Sequence, residues 1–231
     1  IFGDSGRVTY TGGVIAFAES IDQSIGGSDT VQGNDGDDVI LGGAEGDNIQ
    51  GNVGKDIILG DSGEVLYASA IVTRVTSTAT GIGGTDTITG NAGDDLIIGG
   101  AAGDSITGNE DPDVIFGDSA NVLFTGATLD FAESITPSIG GNDTIQGNEA
   151  NDVIVGGAAD DDIQGNAGND IAFGDNAEVD FGAANAVNRI STTANGTGGT
   201  DTIRGNDGED VLAGGSAGDA VDGGNNKDLI F

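Results

Sequence analysis

Residues 33–59 read GNDGDDVIL, GGAEGDNIQ and GNVGKDIIL, three consecutive nonamers with Gly first, Asp at place six and an aliphatic residue at place eight. The register holds outward in both directions. Place six is Asp29, Asp38, Asp47 and Asp56, then Asp86, Asp95, Asp104 and Asp113, then Asp143, Asp152, Asp161 and Asp170, and finally Asp201, Asp210, Asp219 and Asp228. Place eight is Ile, Val or Leu in fifteen of the sixteen nonamers, Ala172 being the exception. A disordered acidic tract has no such order, so the chain is a repeat protein despite its composition.

A longer period of 57 residues aligns Gly3-Asp4, Gly60-Asp61, Gly117-Asp118 and Gly174-Asp175, with one extra residue in the last unit. The super-repeats are therefore 3–59, 60–116, 117–173 and 174–231, and the whole of 1–231 reads as one continuous roll. In each nonamer the x-U-x triplet suits a short strand whose central side chain points inward. The six preceding residues turn the corner, with Gly permitting positive φ. Two nonamers make one flattened coil, and stacked coils make an all-β, right-handed parallel β-roll with two sheets.

The net charge is −33, with 39 Asp plus Glu against 6 Lys plus Arg, and the chain has no Cys and no His. A polyanion repels nucleic acid and acidic membranes. Without thiolate or imidazole only hard oxygen ligands remain, and these favour Ca²⁺ or Mg²⁺. Turns two nonamers apart share an edge, so Asp29 pairs with Asp47 and Asp38 with Asp56. A carboxylate from each turn plus loop carbonyls gives about six oxygens, which suits flexible Ca²⁺ better than octahedral Mg²⁺. The carbonyls expected to contribute are those of Gly27, Asn34, Gly36, Asn52, Gly54, Gly84, Asn91, Gly93, Gly141, Asn166, Gly168, Gly199, Asn206 and Gly208. Asp4, Asp61, Asp118 and Asp175, at place two, could lend further carboxylates or simply form turns. Glu45, Ala102, Ala159, Ala217, Asp111, Ala150 and Asn226 replace Gly at place four, and Ser24-Ile25 opens a nonamer without Gly.

The pattern resembles the RTX (repeats-in-toxin, hemolysin-type) family, whose nonapeptide is G-G-x-G-x-D-x-U-x. The resemblance implies multiple bound Ca²⁺ ions, secretion, and folding where calcium is plentiful.

Each set of four nonamers is joined to the next by 21 residues, such as GDSGEVLYASAIVTRVTSTAT at 60–80. They read as a degenerate nonamer plus a twelve-residue half-coil, giving twelve coils, with Tyr10, Tyr67, Phe124 and Phe181 as aromatic plugs in place of metal. The alternative is a protruding β-hairpin with Gly12-Gly13 at its tip. Outward residues of the second and fourth nonamers, including Val39, Leu41, Ile57 and Leu59, form an apolar stripe that something must cover. Either the 21-residue segment folds back across it, or another roll or domain packs there. Glu19 and Glu133 are candidates to meet Arg74 and Arg189 of a neighbouring chain.

The leading expectation is a calcium-stiffened structural segment of a secreted or surface-attached bacterial fibre, adhesin or matrix protein, self-associating or packed on neighbouring domains through the apolar face. Ile1-Phe2 and Ile230-Phe231 stand at equivalent places of the array, which suggests a longer stack. The alternative is the folding and export module of an RTX enzyme or toxin leaving the cell by a type I system. Ice binding ranks below both, because Thr30, Thr87, Thr144 and Thr202 would recur only once in three coils. Catalysis is not expected from a chain without His or Cys whose Ser residues lack a paired base.

Overall fold

Like places of successive coils come side by side only if each strand pairs with the one two nonamers away. In one sheet Val31 pairs with Ile49, Ile49 with Ile88 and Ile88 with Ile106. In the other Ile40 pairs with Ile58, Ile58 with Ile97 and Ile97 with Ile115. The computed structural model describes residues 1–193 and 196–231. It contains two parallel eight-stranded sheets, one running from Thr30–Asp35 to Ala220–Asn225 and the other from Val39–Gly43 to Leu229–Ile230. Place eight of both sheets points between them, where Ile40, Ile49, Ile58, Ile88 and their equivalents form one buried column that opens to solvent only at Val221 and Ile230 of the last coil. Ala172 belongs to the same column. The chain is a parallel β-roll.

Among the described residues the roll has eight coils, two per unit, rather than the twelve expected. Eight coils span about 38 Å at ordinary strand spacing. The missing half-coils are hairpins, as the alternative reading had it. Gly63–Ala68 pairs antiparallel with Ile71–Ser77, and the other three segments do the same. The physical reason is cover: as hairpin arms these runs lay Val65, Val75, Val122 and Val179 against the apolar stripe, which further rungs would leave exposed. At the first tip Gly12 and Gly13 take φ of 62° and 87°, the left-handed geometry that a tight hairpin turn needs. The extra residue of the last unit falls in the hairpin whose tip is the short turn Ala183–Asn185.

The hairpins also redefine the register of the turns. Each is inserted between places two and three, so Gly60-Asp61 open a nonamer that resumes at Gly83. The bare Cα of Gly60 lies against Asp86 Oδ2 just as that of Gly42 lies against Asp47 Oδ2. Gly3-Asp4 likewise open the turn of Asp29, which removes the irregularity at Ser24-Ile25.

The four hairpins join edge to edge, in chain order, into a third eight-stranded sheet. It covers the apolar stripe. Val65, Val75, Val122, Ala132 and Val179 of the hairpins pack on Leu41, Leu59, Ile98, Phe116 and Val155 of the roll in a second core. That face is buried within the chain itself and is not free for another roll. The aromatic plugs are corrected too: Phe181 is buried, Tyr67 and Phe124 pack against this second core, and Tyr10 is 62% exposed. The inter-chain charge pairs lose their basis as well. Arg7 pairs with Glu19, Arg74 with Glu64, and Arg189 with Glu178 and Asp180, while Glu133 accepts from Asn121, all within the hairpin sheet. Among the described residues no helix is long and apolar enough to cross a membrane.

Deleting residues 62–82 joins Asp61 to Gly83 and restores a plain nonamer. The expected product keeps the strands of the roll but exposes part of the stripe, so it self-associates in analytical ultracentrifugation and binds an apolar dye that the intact chain does not.

Candidate metal centre

The aspartate at place six sits at the last bend before the strand, so its main-chain N–H and its carboxylate both face the stacking direction. Each N–H donates to Oδ1 of the aspartate one coil further on. Along one edge the bonds run Asp29 to Asp47, Asp47 to Asp86, Asp86 to Asp104, Asp104 to Asp143, Asp143 to Asp161, Asp161 to Asp201 and Asp201 to Asp219, at 2.7–3.0 Å. Along the other they run Asp38 to Asp56, Asp56 to Asp95, Asp95 to Asp113, Asp113 to Asp152, Asp152 to Asp170, Asp170 to Asp210 and Asp210 to Asp228, at 2.8–3.1 Å. All sixteen predicted aspartates therefore stand in two ladders, and the expected pairs Asp29–Asp47 and Asp38–Asp56 are the first rungs. The end members Asp29, Asp38, Asp219 and Asp228 are half-buried; the other twelve are buried.

In those twelve, Oδ2 is sealed from solvent and has no hydrogen-bond partner. A bare buried carboxylate oxygen costs free energy unless something positive meets it. What lies beside it is more oxygen. Asp47 Oδ2 and the carbonyl of Gly60 flank the bare Cα of Gly42; Asp104 Oδ2 and the carbonyl of Gly117 flank Gly99; Asp161 Oδ2 and the carbonyl of Gly174 flank Gly156. A Cβ at these glycines would fill the gap. Among the described residues no three acidic side chains converge on one point, so a cation held here needs main-chain carbonyls as well as carboxylates. Hard oxygens with one sealed, unpartnered anionic atom per rung fit Ca²⁺.

The other predicted ligands stack in the same turns. Asn34, Asn52, Asn91, Asn166 and Asn206 form one column with φ of 74–82°, together with Asn109 and Asn148. Gly54 and Gly93 lie over the carbonyls of Gly36 and Gly54, Gly208 lies over that of Gly168, and Gly84, Gly141 and Gly199 lie over the main chain at Glu45, Ala102 and Ala159. Place-four residues other than Gly keep the same left-handed turn, from Glu45 at 65° to Ala217 at 80°. Place-two aspartates act as ties at the hairpin roots. Asp4 accepts from Gly27 and from Ala44 at 2.7 Å, Asp61 from Gly84 and Ala101, Asp118 from Gly141 and Ala158, and Asp175 from Ser216. These bonds root each hairpin on the coil ahead.

Place-one glycines were absent from the predicted ligand set. The signal was present: all sixteen, counted through the hairpins from Gly3 to Gly223, are Gly.

The family model described as RTX calcium-binding nonapeptide repeat (4 copies) matches at residues 32–64, 80–115, 99–127, 139–172 and 195–230. The chain belongs to that family. A comparison with curated proteins finds no match.

Electrostatics explain why an RTX ladder needs a counter-ion. Rungs about 4.8 Å apart place like charges where they repel by roughly 3 kcal/mol at an effective dielectric near 20. A hydrogen bond to a charged group contributes about 1.5–3 kcal/mol. The Oδ1 bonds thus roughly offset the repulsion, and nothing offsets desolvation. Burial first, and neighbouring carboxylates after it, push Asp104 and Asp161 up to about 10, Asp113 to about 9, and Asp86 and Asp143 to about 8.

Without metal, the folded roll therefore holds protons that the unfolded chain, with carboxyls near 3.8, releases. That stabilisation is complete below about pH 4 and is lost as pH rises through the folded values, from about 6 at Asp47 and Asp170 to about 10 at Asp104 and Asp161. In chelator, the melting temperature followed by circular dichroism should be higher at pH 5 than at pH 8.

Proposed function

We propose that this RTX roll is a calcium-ordered structural segment of a secreted or cell-surface bacterial repeat protein, such as a fibre, adhesin or matrix component, working outside the cell and without catalysis. The observation that carries the calcium reading is the set of twelve buried, unpartnered Oδ2 atoms, one per interior rung, each beside oxygen. Calcium supplies charge neutralisation and a link between rungs. One divalent ion in each of the fourteen gaps between bonded aspartates would cancel 28 of the 33 net negative charges. The Asp side chains hold the ions, the place-one and place-four turns offer carbonyls, and the glycines keep the gaps free of Cβ.

A load-bearing role is supported by the three sheets, which continue through all four units, and by the hairpins that bind each unit to the next. Adjacent hairpins pair across unit boundaries, Phe17 with Leu66 and Leu123 with Arg74. An export module needs calcium only to fold, whereas a fibre segment must also resist extension. Single-molecule stretching should show a high unfolding force with calcium that drops in chelator. A low force in both conditions favours the export reading.

The calcium reading itself is tested by circular dichroism during titration. Strand signal should rise with calcium and not with equal magnesium. Asp104→Asn keeps the acceptor for Asp86 N–H but removes one buried charge. With calcium it should lose about 3 kcal/mol, as for a broken buried pair; in chelator it should melt higher than the parent. Equal melting of the two proteins in both conditions refutes the role given to the ladder.

A further inference from the structure

The outer face of the sheet running from Thr30–Asp35 to Ala220–Asn225 is not covered by the hairpins. Its outward residues fall in three columns, at places seven, nine and two, bordered at place three by the exposed Asp35, Val53, Glu110, Glu149 and Asp207. Place seven begins Thr30, Asn48, Thr87, Ser105; place nine is mostly Gln or Thr; place two is Asn in every one of the first seven coils. In those coils the three columns offer twenty-one positions, and none is apolar. Their two charged members, Asp162 and Arg204, pair with each other at 2.8 Å. On a chain of net charge −33 these three columns form a neutral lattice of amides and hydroxyls beside an acidic border.

The lattice is ordered along the roll axis. Asn109 and Asn148 pair in register, Asn148 donates to Asn109 and Asn166 to Asn148 at 3.3 Å, and Gln32 donates to Gln50 at 3.4 Å. An amide carries two N–H donors and an oxygen with two lone pairs, so one bond to each neighbour leaves capacity facing out at every rung. At its centre the face is concave. A trough of about 700 Å³ is lined by Asn91, Thr107, Asn109, Gln146, Asn148 and Asn166, with the carboxylates of Glu110 and Glu149 also in its wall.

The geometry points to this face as a binding site for an uncharged polysaccharide lying along the roll axis. The rung spacing of about 4.8 Å is close to the length of one pyranose unit, so hydroxyls of successive sugars meet successive amides. A polyanion is excluded by the protein's net charge, and a polycation would prefer the acidic turns to a neutral face. Ordered water is the rival ligand. With eight coils, Thr30, Thr87, Thr144 and Thr202 recur every second coil rather than every third, but Asn, Gln and Ser share the face with them.

The inference rests on the calcium-ordered roll and deepens the adhesin reading. It is tested by affinity gel electrophoresis in calcium, with hydroxyethyl cellulose, dextran or mannan in the gel and carboxymethyl cellulose as the anionic control. Retardation by at least one neutral polymer is expected, with none by carboxymethyl cellulose. Asn109→Asp with Asn148→Asp, outward changes that retain the calcium-dependent dichroism, should weaken the retardation at least tenfold. No retardation by any neutral polymer, equal retardation of the variant, or thermal hysteresis without retardation overturns the site. Loss of strand signal in the same calcium-loaded sample would instead mark the calcium reading as the failure.

Discussion

Everything in this molecule is organised around one bond repeated along two edges, from the N–H of an aspartate to the carboxylate of the next. That bond aligns successive coils within a fraction of an ångström and turns one oxygen of each carboxylate toward the stack. It also forces the other oxygen into a sealed gap where water cannot reach it. The same contact that sets the register thus creates the demand for a cation. Architecture and metal dependence are one property, and neither can be altered at a rung without the other.

The hairpins answer a different constraint. A nonamer roll has one inward side chain per strand, so its interior is a thin aliphatic column. Apolar residues at places seven and nine of one sheet cannot join that column, because strand geometry points them outward. Covering them with a second sheet gives the chain two cores from one repeat: the Ile column and the layer around Phe116 and Val122. The place-two aspartates matter here as roots, since Asp61 and Asp118 tie each hairpin to the coil ahead through N–H groups rather than through metal.

The two faces that remain differ in chemistry for the same reason. The hairpin sheet carries three of the six basic residues, Arg7, Arg74 and Arg189, each paired with a carboxylate on the facing arm, as Arg74 is with Glu64. The three outer columns of the uncovered roll sheet carry, over the first seven coils, only the paired Asp162 and Arg204. Acidic residues are concentrated in the turns, where a cation can reach them.

Much of this was legible in the residues alone. Sixteen aspartates at place six and an aliphatic at place eight determine the roll, its inward column and both carboxylate ladders, because a strict period of nine fixes which side chains face each other whatever surrounds them. Invariant glycine at place one carried the gap beside Oδ2 as well, had the hairpins been recognised as interruptions within a nonamer. What only the tertiary structure decided was the fate of the 21-residue segments: period-two runs such as GRVTYT suit a rung or a hairpin arm equally, and the choice depends on the apolar face of Leu41, Leu59 and Phe116, which exists only once the coils have stacked. Local pattern sets what repeats; long-range packing decides what covers it.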